Sequence, residues 1–169
     1  MNKAFVFDFD DTLARTSCVV HVMKDGNTTW CTNLTPAEYS GYTLKEGEYF
    51  DYSQFRDPTF IEKAEKLITM DIAKEVHDED HDVFILTARG SAVADAIDSF
   101  LIEYGIDAKQ IHCLGDSSTG STIPREKANI LGTLAMAYDK LYFYDDNKEN
   151  IEHARAIGIK SYQIKRELA

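Results

Sequence analysis

Short apolar runs alternate with helical patterns along most of this 169-residue chain. Mostly apolar runs at 4–9, 83–86, 111–114 and 141–144 are typical of strands buried on both faces of a sheet, and 161–164 predicts a last strand. Apolar residues spaced three and four apart predict helices over 59–78, 91–104, 124–138 and 147–157. This alternation predicts an α/β fold, a Rossmann-like parallel sheet with helices on both faces in three layers.

Residues 14–57, called the insert below, interrupt this alternation. Two stretches rich in β-formers flank Asp25-Gly26, which is a strong hairpin signal. Seven aromatic residues then follow between positions 30 and 55. They form either the core of a small unit, the reading we favour, or a stacking surface for a base. We therefore predict a single domain over 1–169, with the insert as a small cap over the site.

Charge and composition narrow the classes of partner. Lys and Arg total 18 against 29 Asp and Glu, a net charge of −11. Because an acidic surface repels phosphate backbones, we expect no nonspecific duplex binding, although a compact basic pocket could hold one phosphate. No apolar run approaches the roughly 18 residues of a membrane helix. An early acid at the N-terminus and three scattered cysteines favour a cytoplasmic protein without a disulfide framework.

Acidic residues follow the first predicted strand directly, in the segment Asp8-Phe9-Asp10-Asp11-Thr12. In an extended chain Asp8 and Asp10 point to the same side. Two carboxylates so close repel each other, and a bound divalent cation removes that conflict. Oxygen ligands of this kind suit Mg²⁺. The alternative is a solvated acidic turn, and further ligands at other strand ends decide between the two.

Three more strand ends or helix starts carry suitable groups. Thr87 and Arg89 follow the second strand, where a hydroxyl and a guanidinium can bind phosphate oxygens. Lys127 lies near the start of the helix that Pro124 opens, where backbone amides favour an anion. Asp145-Asp146 follow the fourth strand. Because ligands of parallel sheets bind at the carboxyl ends of the strands, these groups predict a site for metal and phosphate.

Four motifs of the chain resemble, in order, those of the haloacid dehalogenase (HAD) superfamily of phosphohydrolases: Asp8-x-Asp10-x-Thr12, Thr87, Lys127 and Asp145-Asp146. The resemblance implies a phosphomonoesterase in which Asp8 attacks phosphorus and forms an aspartyl-phosphate. Asp10 would act as general acid and then as general base. Thr87 and Lys127 would bind the phosphoryl oxygens. The implied Mg²⁺ ligands are Asp8, the backbone carbonyl of Asp10 and Asp145, with Asp146 ligating directly or through water.

A closer resemblance is to the 3′-phosphatase domains of phage polynucleotide kinases. It rests on Arg15 after the first motif, on the turn Thr87-Ala88-Arg89, and on Tyr144-Asp145-Asp146 followed by a helix. It implies a nucleotide or a nucleic-acid 3′-phosphate as the phosphorylated substrate. The residues expected to contact substrate are Arg15, Arg89, Thr12 and Ala88.

Other functions remain open at this point. A phosphatase of a small sugar or metabolite phosphate comes next, followed by a phosphate-binding or partner-binding module without turnover. A phosphotransferase or phosphonate-cleaving enzyme would share the motifs. The segment 115–122 is a near miss to a nucleotide P-loop, but Ser121 replaces the required lysine, so we reject a nucleotide triphosphatase. We interpret the segment as a loop that delivers Asp116, Arg125 and Lys127.

Overall fold

The computed structural model describes residues 2–26, 31–117 and 121–165. The strands in these residues are β1 (Lys3–Phe7), β2 (Ala14–Arg15), β3 (Val20–Lys24), β4 (Thr32–Leu34), β5 (Glu48–Asp51), β6 (Glu65–Lys66), β7 (Asp82–Thr87), β8 (Gln110–Cys113), β9 (Lys140–Asp145) and β10 (Lys160–Gln163). The helices are α1 (Pro36–Gly41), α2 (Thr59–Glu62), α3 (Thr69–Asp78), α4 (Ala94–Glu103), α5 (Ile123–Ala135) and α6 (Lys148–Ala156). Short 3₁₀ turns occupy Ser53–Arg56 and Ser91–Val93.

The main sheet is parallel, in the strand order β10-β9-β1-β7-β8. Alternate side chains of the central strand β1 enter two separate cores. Phe5 and Phe7 pack with apolar residues of α3 and α4 on one face. Ala4 and Val6 pack with apolar residues of α5 and α6 on the other face. The predicted three-layer α/β fold is therefore confirmed.

The predicted single helix over 59–78 is wrong. The chain there forms α2, then the two-residue strand β6, then α3. Antiparallel pairing of β6 with β2 takes the place of helical hydrogen bonds, and Leu67 N–H donates to the carbonyl of Leu13 at 2.8 Å. The proposed single apolar face also fails, because Ile68 is 73% exposed.

The insert contains a three-stranded antiparallel sheet in the order β4-β3-β5. Strands β3 and β4 pair on either side of Asp25-Gly26, as a hairpin requires. In the stretch of β-formers over 28–32 that follows Asp25-Gly26, β4 begins at Thr32, and residues 28–30, including Trp30, lie outside the described residues. Apolar residues of β3 and β4 pack against five aromatic residues of the insert: Tyr39, Tyr42, Phe50, Tyr52 and Phe55.

Glycine ends two helices of the main layers as the sequence predicts. Gly105 follows α4 and Gly158 follows α6, with φ of +76° and +86°. This left-handed conformation is the one in which glycine stops a helix without strain. Among the helices of the described residues, none is both long and apolar enough to cross a membrane.

Candidate active site

Two neighbouring strands bring three carboxylates to one edge of the main sheet. Asp8 follows β1, Asp145 ends β9, and Asp8 N–H donates to the Tyr144 carbonyl at 2.9 Å. One carboxylate oxygen from each of Asp8, Asp145 and Asp146 lies within 4.8 Å of the others. Asp8 and Asp145 are buried. An all-oxygen donor set of this size and spacing fits Mg²⁺.

The buried ammonium group of Lys127 lies between two of these carboxylates. Its Nζ is 3.0 Å from Asp8 Oδ1 and 2.8 Å from Asp145 Oδ2. Burial lowers the pKa of Lys127, but the charges of Asp145 and Asp8 more than offset this and leave the pKa raised. The lysine is therefore charged and binds both acids from the start of α5.

Asp8 carries the strongest sign of electrostatic crowding. Burial and the charge of Asp145 raise the pKa of Asp8 well above its usual range, although Lys127 acts in the opposite direction. Thr12 Oγ1 donates to Asp8 Oδ2 at 3.2 Å, which fixes the carboxylate orientation. One lysine does not balance the clustered carboxylates, so a divalent cation would stabilise the ionised form of Asp8.

Asp145 is held by the start of α6. Its Oδ1 accepts from Asn147 N–H at 2.9 Å and its Oδ2 accepts from the Asn150 side chain at 3.0 Å. Asn147 also caps α6 by accepting from Asn150 N–H. Sequence reasoning missed the contribution of Asn150. The three-residue spacing from a capping asparagine was the available signal, since it places both side chains at the same helix start.

Asp10 lies outside the carboxylate cluster of Asp8, Asp145 and Asp146 and pairs with Arg89. Arg89 donates to both carboxylate oxygens, from Nε at 2.8 Å and from Nη2 at 2.7 Å. The guanidinium also donates to the Phe55 carbonyl at 3.1 Å and lies 4.8 Å from the centre of the Phe55 ring. Burial lowers the pKa of Arg89, and Asp10 raises it by more. Arg89 therefore links the acid of the first motif to the insert.

The other residues predicted to contact substrate differ in their burial and in whether they line the cavity. Ala88 is exposed and lines the cavity described below. Thr87 is buried and its hydroxyl accepts from Arg89 N–H at 3.1 Å. Thr12 is buried beside Asp8. Arg15 forms an ion pair with Glu65 at 3.0 Å and, like Thr87 and Thr12, is not among the described residues that line the cavity. Their roles in substrate binding stay predictions.

The start of the segment 115–122, which resembled a P-loop, lies against the turn after β7. A Cβ atom at Gly115 would lie 2.6 Å from the Ala88 carbonyl oxygen and from Gly90 N, so only glycine allows this approach. Asp116 accepts from Ser91 N–H at 3.2 Å. Arg125 is exposed, with Glu126 4.0 Å away. Of the three residues that this loop was expected to deliver, Lys127 lines the cavity, and residues 118–120 lie outside the described ranges.

A cavity of about 450 Å³ joins the carboxylate edge of the sheet to the insert. Asp8, Asp10, Lys127 and Asp145 lie on the sheet side. The insert supplies the remaining wall with six residues: Val20, Pro36, Tyr39, Tyr52, Phe55 and Arg56. Three aromatic residues of the insert, Tyr39, Tyr52 and Phe55, thus pack on its core and also line the cavity, and their use as a stacking surface for a base stays a prediction.

Three solved structures illustrate the similarity of this chain to known proteins. A chain of the Pnkp1/Rnl/Hen1 RNA repair complex is 16% identical over 98% of this chain and 46% of its own length, with a TM-score of 0.62. HAD-family enzyme BT-2542 of Bacteroides thetaiotaomicron, in complex with magnesium and inorganic phosphate, is 13% identical over 100% of this chain and 97% of its own length (TM-score 0.55). D,D-heptose 1,7-bisphosphate phosphatase of B. bronchiseptica, complexed with magnesium and phosphate, is 12% identical over 95% of this chain and 79% of its own length (TM-score 0.55).

These similarities define the fold. This chain has the fold of HAD-family enzymes, as its four motifs imply. It spans less than half the length of the repair-complex chains that it matches. No protein-family model and no curated sequence matches it.

Magnesium binding at the carboxylate cluster should stabilise the protein measurably. A ligand that binds only the folded state adds about 2.7 kcal/mol at a hundredfold excess over its dissociation constant. We expect MgCl₂ to raise the melting temperature relative to EDTA, and Asp146→Asn to reduce that rise. Thermal melts with NaCl at equal ionic strength, and with the exposed-site variant Asp107→Asn, provide the controls. An equal rise in Asp146→Asn would place the ion elsewhere.

Even a conservative replacement of Arg89, which pairs with Asp10, should destabilise the protein. Lysine carries the charge but cannot contact both Asp10 oxygens and the Phe55 carbonyl in the same plane. We expect Arg89→Lys to lower the free energy of unfolding by about 1–3 kcal/mol, the cost of losing buried charged hydrogen bonds. Urea unfolding measures this effect, and the exposed replacement Arg125→Lys should change stability by less than about 0.5 kcal/mol. Equal stability of Arg89→Lys and the unchanged protein would contradict the assignment.

Proposed function

We propose that the protein is a Mg²⁺-dependent phosphomonoesterase that acts through an aspartyl-phosphate on Asp8. One observation carries the proposal: a buried carboxylate is oriented by Lys127 and Thr12 at the wall of a cavity, beside two further carboxylates. When bound, Mg²⁺ would supply positive charge against the carboxylates and the phosphoryl group. Similarity to HAD-family structures containing magnesium and phosphate supports the same chemistry.

The side chains divide the reaction into two displacements. An Asp8 carboxylate oxygen attacks phosphorus, the ester P–O bond breaks, and Asp10 gives a proton to the leaving oxygen. Asp10 then takes a proton from the water that attacks the phosphorus of the aspartyl-phosphate, and inorganic phosphate leaves as Asp8 is restored. Lys127 lies at Asp8 and offsets charge on the phosphoryl group. Arg89 orients Asp10 through its two hydrogen bonds.

The substrate that we propose is a nucleotide or a nucleic-acid 3′-phosphate end. Aromatic side chains on the insert wall offer surfaces for a base. Similarity to a chain of an RNA repair complex supports the same class. We further propose that 1–169 act as a single domain with the insert as its cap. Three unpaired cysteines support the expected cytoplasmic location.

A small sugar phosphate is the second candidate substrate. It is favoured by similarity to a structure whose own substrate is a heptose bisphosphate. A sugar would use the polar side of the cavity, formed by the aspartates together with Asn147 and Asn150, and would leave the aromatic wall unused. The two candidates therefore differ in whether Tyr39, Tyr52 and Phe55 matter for binding.

Phosphate release across a substrate panel tests the proposal. The panel holds a 3′-phosphorylated oligonucleotide, its 5′-phosphorylated isomer, nucleoside 3′- and 5′-monophosphates, sugar phosphates and an aryl phosphate. We expect Mg²⁺-dependent release with the highest kcat/KM on 3′-phosphates. A sugar phosphate as the best substrate would favour the second candidate. No release from any member, by folded protein with Mg²⁺ present, would remove the phosphatase assignment.

A further inference from the structure

Arg56 is the cavity's uncommitted positive charge within the described residues. Five carboxylates and three basic side chains line the cavity. Arg89 is paired with Asp10, and Lys127 is paired with Asp8 and Asp145. In the described ranges, no hydrogen bond or ion pair is made by the Arg56 guanidinium, which is exposed. Among the basic side chains that line the cavity, Arg56 is thus the one that forms no ion pair with the described residues.

The surroundings of Arg56 favour an anion from outside the protein. Arg56 acts electrostatically on Asp116, whose pKa is lowered first by hydrogen bonds from Ser91 and only then by Arg56. The Asp116 carboxylate already accepts from Ser91 N–H with both oxygens at 3.2 Å. Asp116 therefore has its own partner, and the planar donor fork of Arg56 is available for a phosphate.

Aromatic side chains lie on the same wall of the cavity as Arg56. Arg56 ends the 3₁₀ turn Ser53–Arg56 of the insert, directly after Phe55. Tyr39 and Tyr52 line the same wall, and their hydroxyl groups are joined by a 2.8 Å hydrogen bond that fixes both rings. Rigid rings beside a guanidinium suit a ligand that carries both a planar apolar group and an anion.

We propose that Arg56 binds a second phosphate of the substrate, the 5′-phosphate of the nucleotide whose 3′-phosphate is removed at Asp8. The nucleoside between the two phosphates lies against Tyr39 and Tyr52. A cavity of about 450 Å³ is of the size that holds a small ligand of this kind. This inference rests on the proposed function and deepens it, because it makes a 3′,5′-bisphosphorylated nucleoside the recognised unit. That unit occurs as a free nucleotide and as the last residue of a strand.

Comparing two substrates that differ only in the 5′-phosphate tests the role of Arg56. The probes are thymidine 3′,5′-bisphosphate and thymidine 3′-monophosphate. We expect the ratio of their kcat/KM values to favour the bisphosphate and to fall about tenfold in Arg56→Gln, mainly through KM, the effect of one exposed charge-assisted contact. Arg56→Lys should keep part of the preference. Lys63→Gln, the same change of charge at an exposed position outside the cavity lining, should keep all of it.

Failure of the subsite and failure of the proposed function give different results. An unchanged ratio in Arg56→Gln, with both substrates turned over, would overturn the subsite and leave the phosphatase intact. If neither substrate is turned over, calorimetric binding of thymidine 5′-monophosphate with Mg²⁺ still tests the subsite. Affinity that Arg56→Gln reduces about tenfold supports it, and affinity that Arg56→Gln leaves unchanged contradicts it.

A short strand tests whether the second phosphate belongs to a free nucleotide or to the last nucleotide of a strand. In a 3′-phosphorylated dinucleotide, the 5′-phosphate of the terminal nucleotide is a phosphodiester, which carries one charge instead of two. Sensitivity to Arg56→Gln in both the dinucleotide and the bisphosphate would support the subsite and extend it to strand ends. Sensitivity in the bisphosphate alone would support the subsite for free nucleotides. Sensitivity in neither would overturn it.

Discussion

Replacing Asp8 with Asn should lower kcat for Mg²⁺-dependent phosphate release at least about 10⁴-fold, as expected for loss of a nucleophile. The amide keeps the size of the side chain and an oxygen that can accept from Thr12, which now donates to Asp8 at 3.2 Å. It cannot form the aspartyl-phosphate, an acyl phosphate, that the proposed mechanism requires. We therefore expect a folded protein that is inactive on every member of the substrate panel, measured by phosphate release and thermal melting.

A neighbouring aspartate provides the matched control for Asp8→Asn. Asp11 belongs to the same motif and lines the same cavity, but it lies outside the carboxylate cluster formed by Asp8, Asp145 and Asp146. Its φ of +58° is a conformation that Asn tolerates. Asp11→Asn removes the same charge and should retain turnover within about tenfold, about 1.4 kcal/mol in the barrier. Equal losses in the two variants would mean that cavity charge, and not covalent chemistry at Asp8, controls the rate.

Replacing Lys127 with Met should destabilise the metal-free protein by about 3–5 kcal/mol and remove turnover. Lys127 is 1% exposed and contacts Asp8 at 3.0 Å and Asp145 at 2.8 Å. Removing one partner of a buried ion pair leaves uncompensated charge, and here two carboxylates lose their counter-charge at once. Urea unfolding in EDTA measures the loss, and MgCl₂ should recover part of it because the cation binds the same acids.

A double variant separates the electrostatic role of Lys127 from a packing role. Lys127→Met combined with Asp8→Asn removes one of the two stranded charges. The pair should be more stable than Lys127→Met alone, which is the coupling expected of residues in direct contact. It should remain inactive because the nucleophile is gone. No recovery in the double variant would assign the destabilisation to altered packing around Met.

The layered fold was predictable because burial on both faces of a parallel sheet leaves a local record in the sequence. Strand β1 is apolar from Ala4 to its end, and the first acid comes directly after it. No apolar pattern in the sequence marks strand β6. It is two residues long, exposed, and held by pairing with Ala14–Arg15, some fifty residues earlier. Helical spacing in the flanking residues therefore suggested one continuous helix.

The acidic cluster was predictable for a similar reason, since neighbouring parallel strands must end at the same edge. The partners of the basic residues could not be predicted from the sequence. Arg89 was expected to bind phosphate, yet its donors contact Asp10 and the Phe55 carbonyl. Arg56 gave no local signal, because the folding of the insert alone brings it to the cavity. Non-local pairing of this kind depends on geometry that neither periodicity nor motif spacing encodes.

The contact between Arg89 and Phe55 has a mechanical consequence. A single buried guanidinium joins the insert, through the Phe55 carbonyl and ring, to the carboxylate of Asp10 on the sheet. Any displacement of the insert that carries Phe55 away from Arg89 must break a hydrogen bond and wet a charge that is now dry. The same displacement loosens the restraint on Asp10. The position of the insert therefore determines how firmly the Asp10 carboxylate is held.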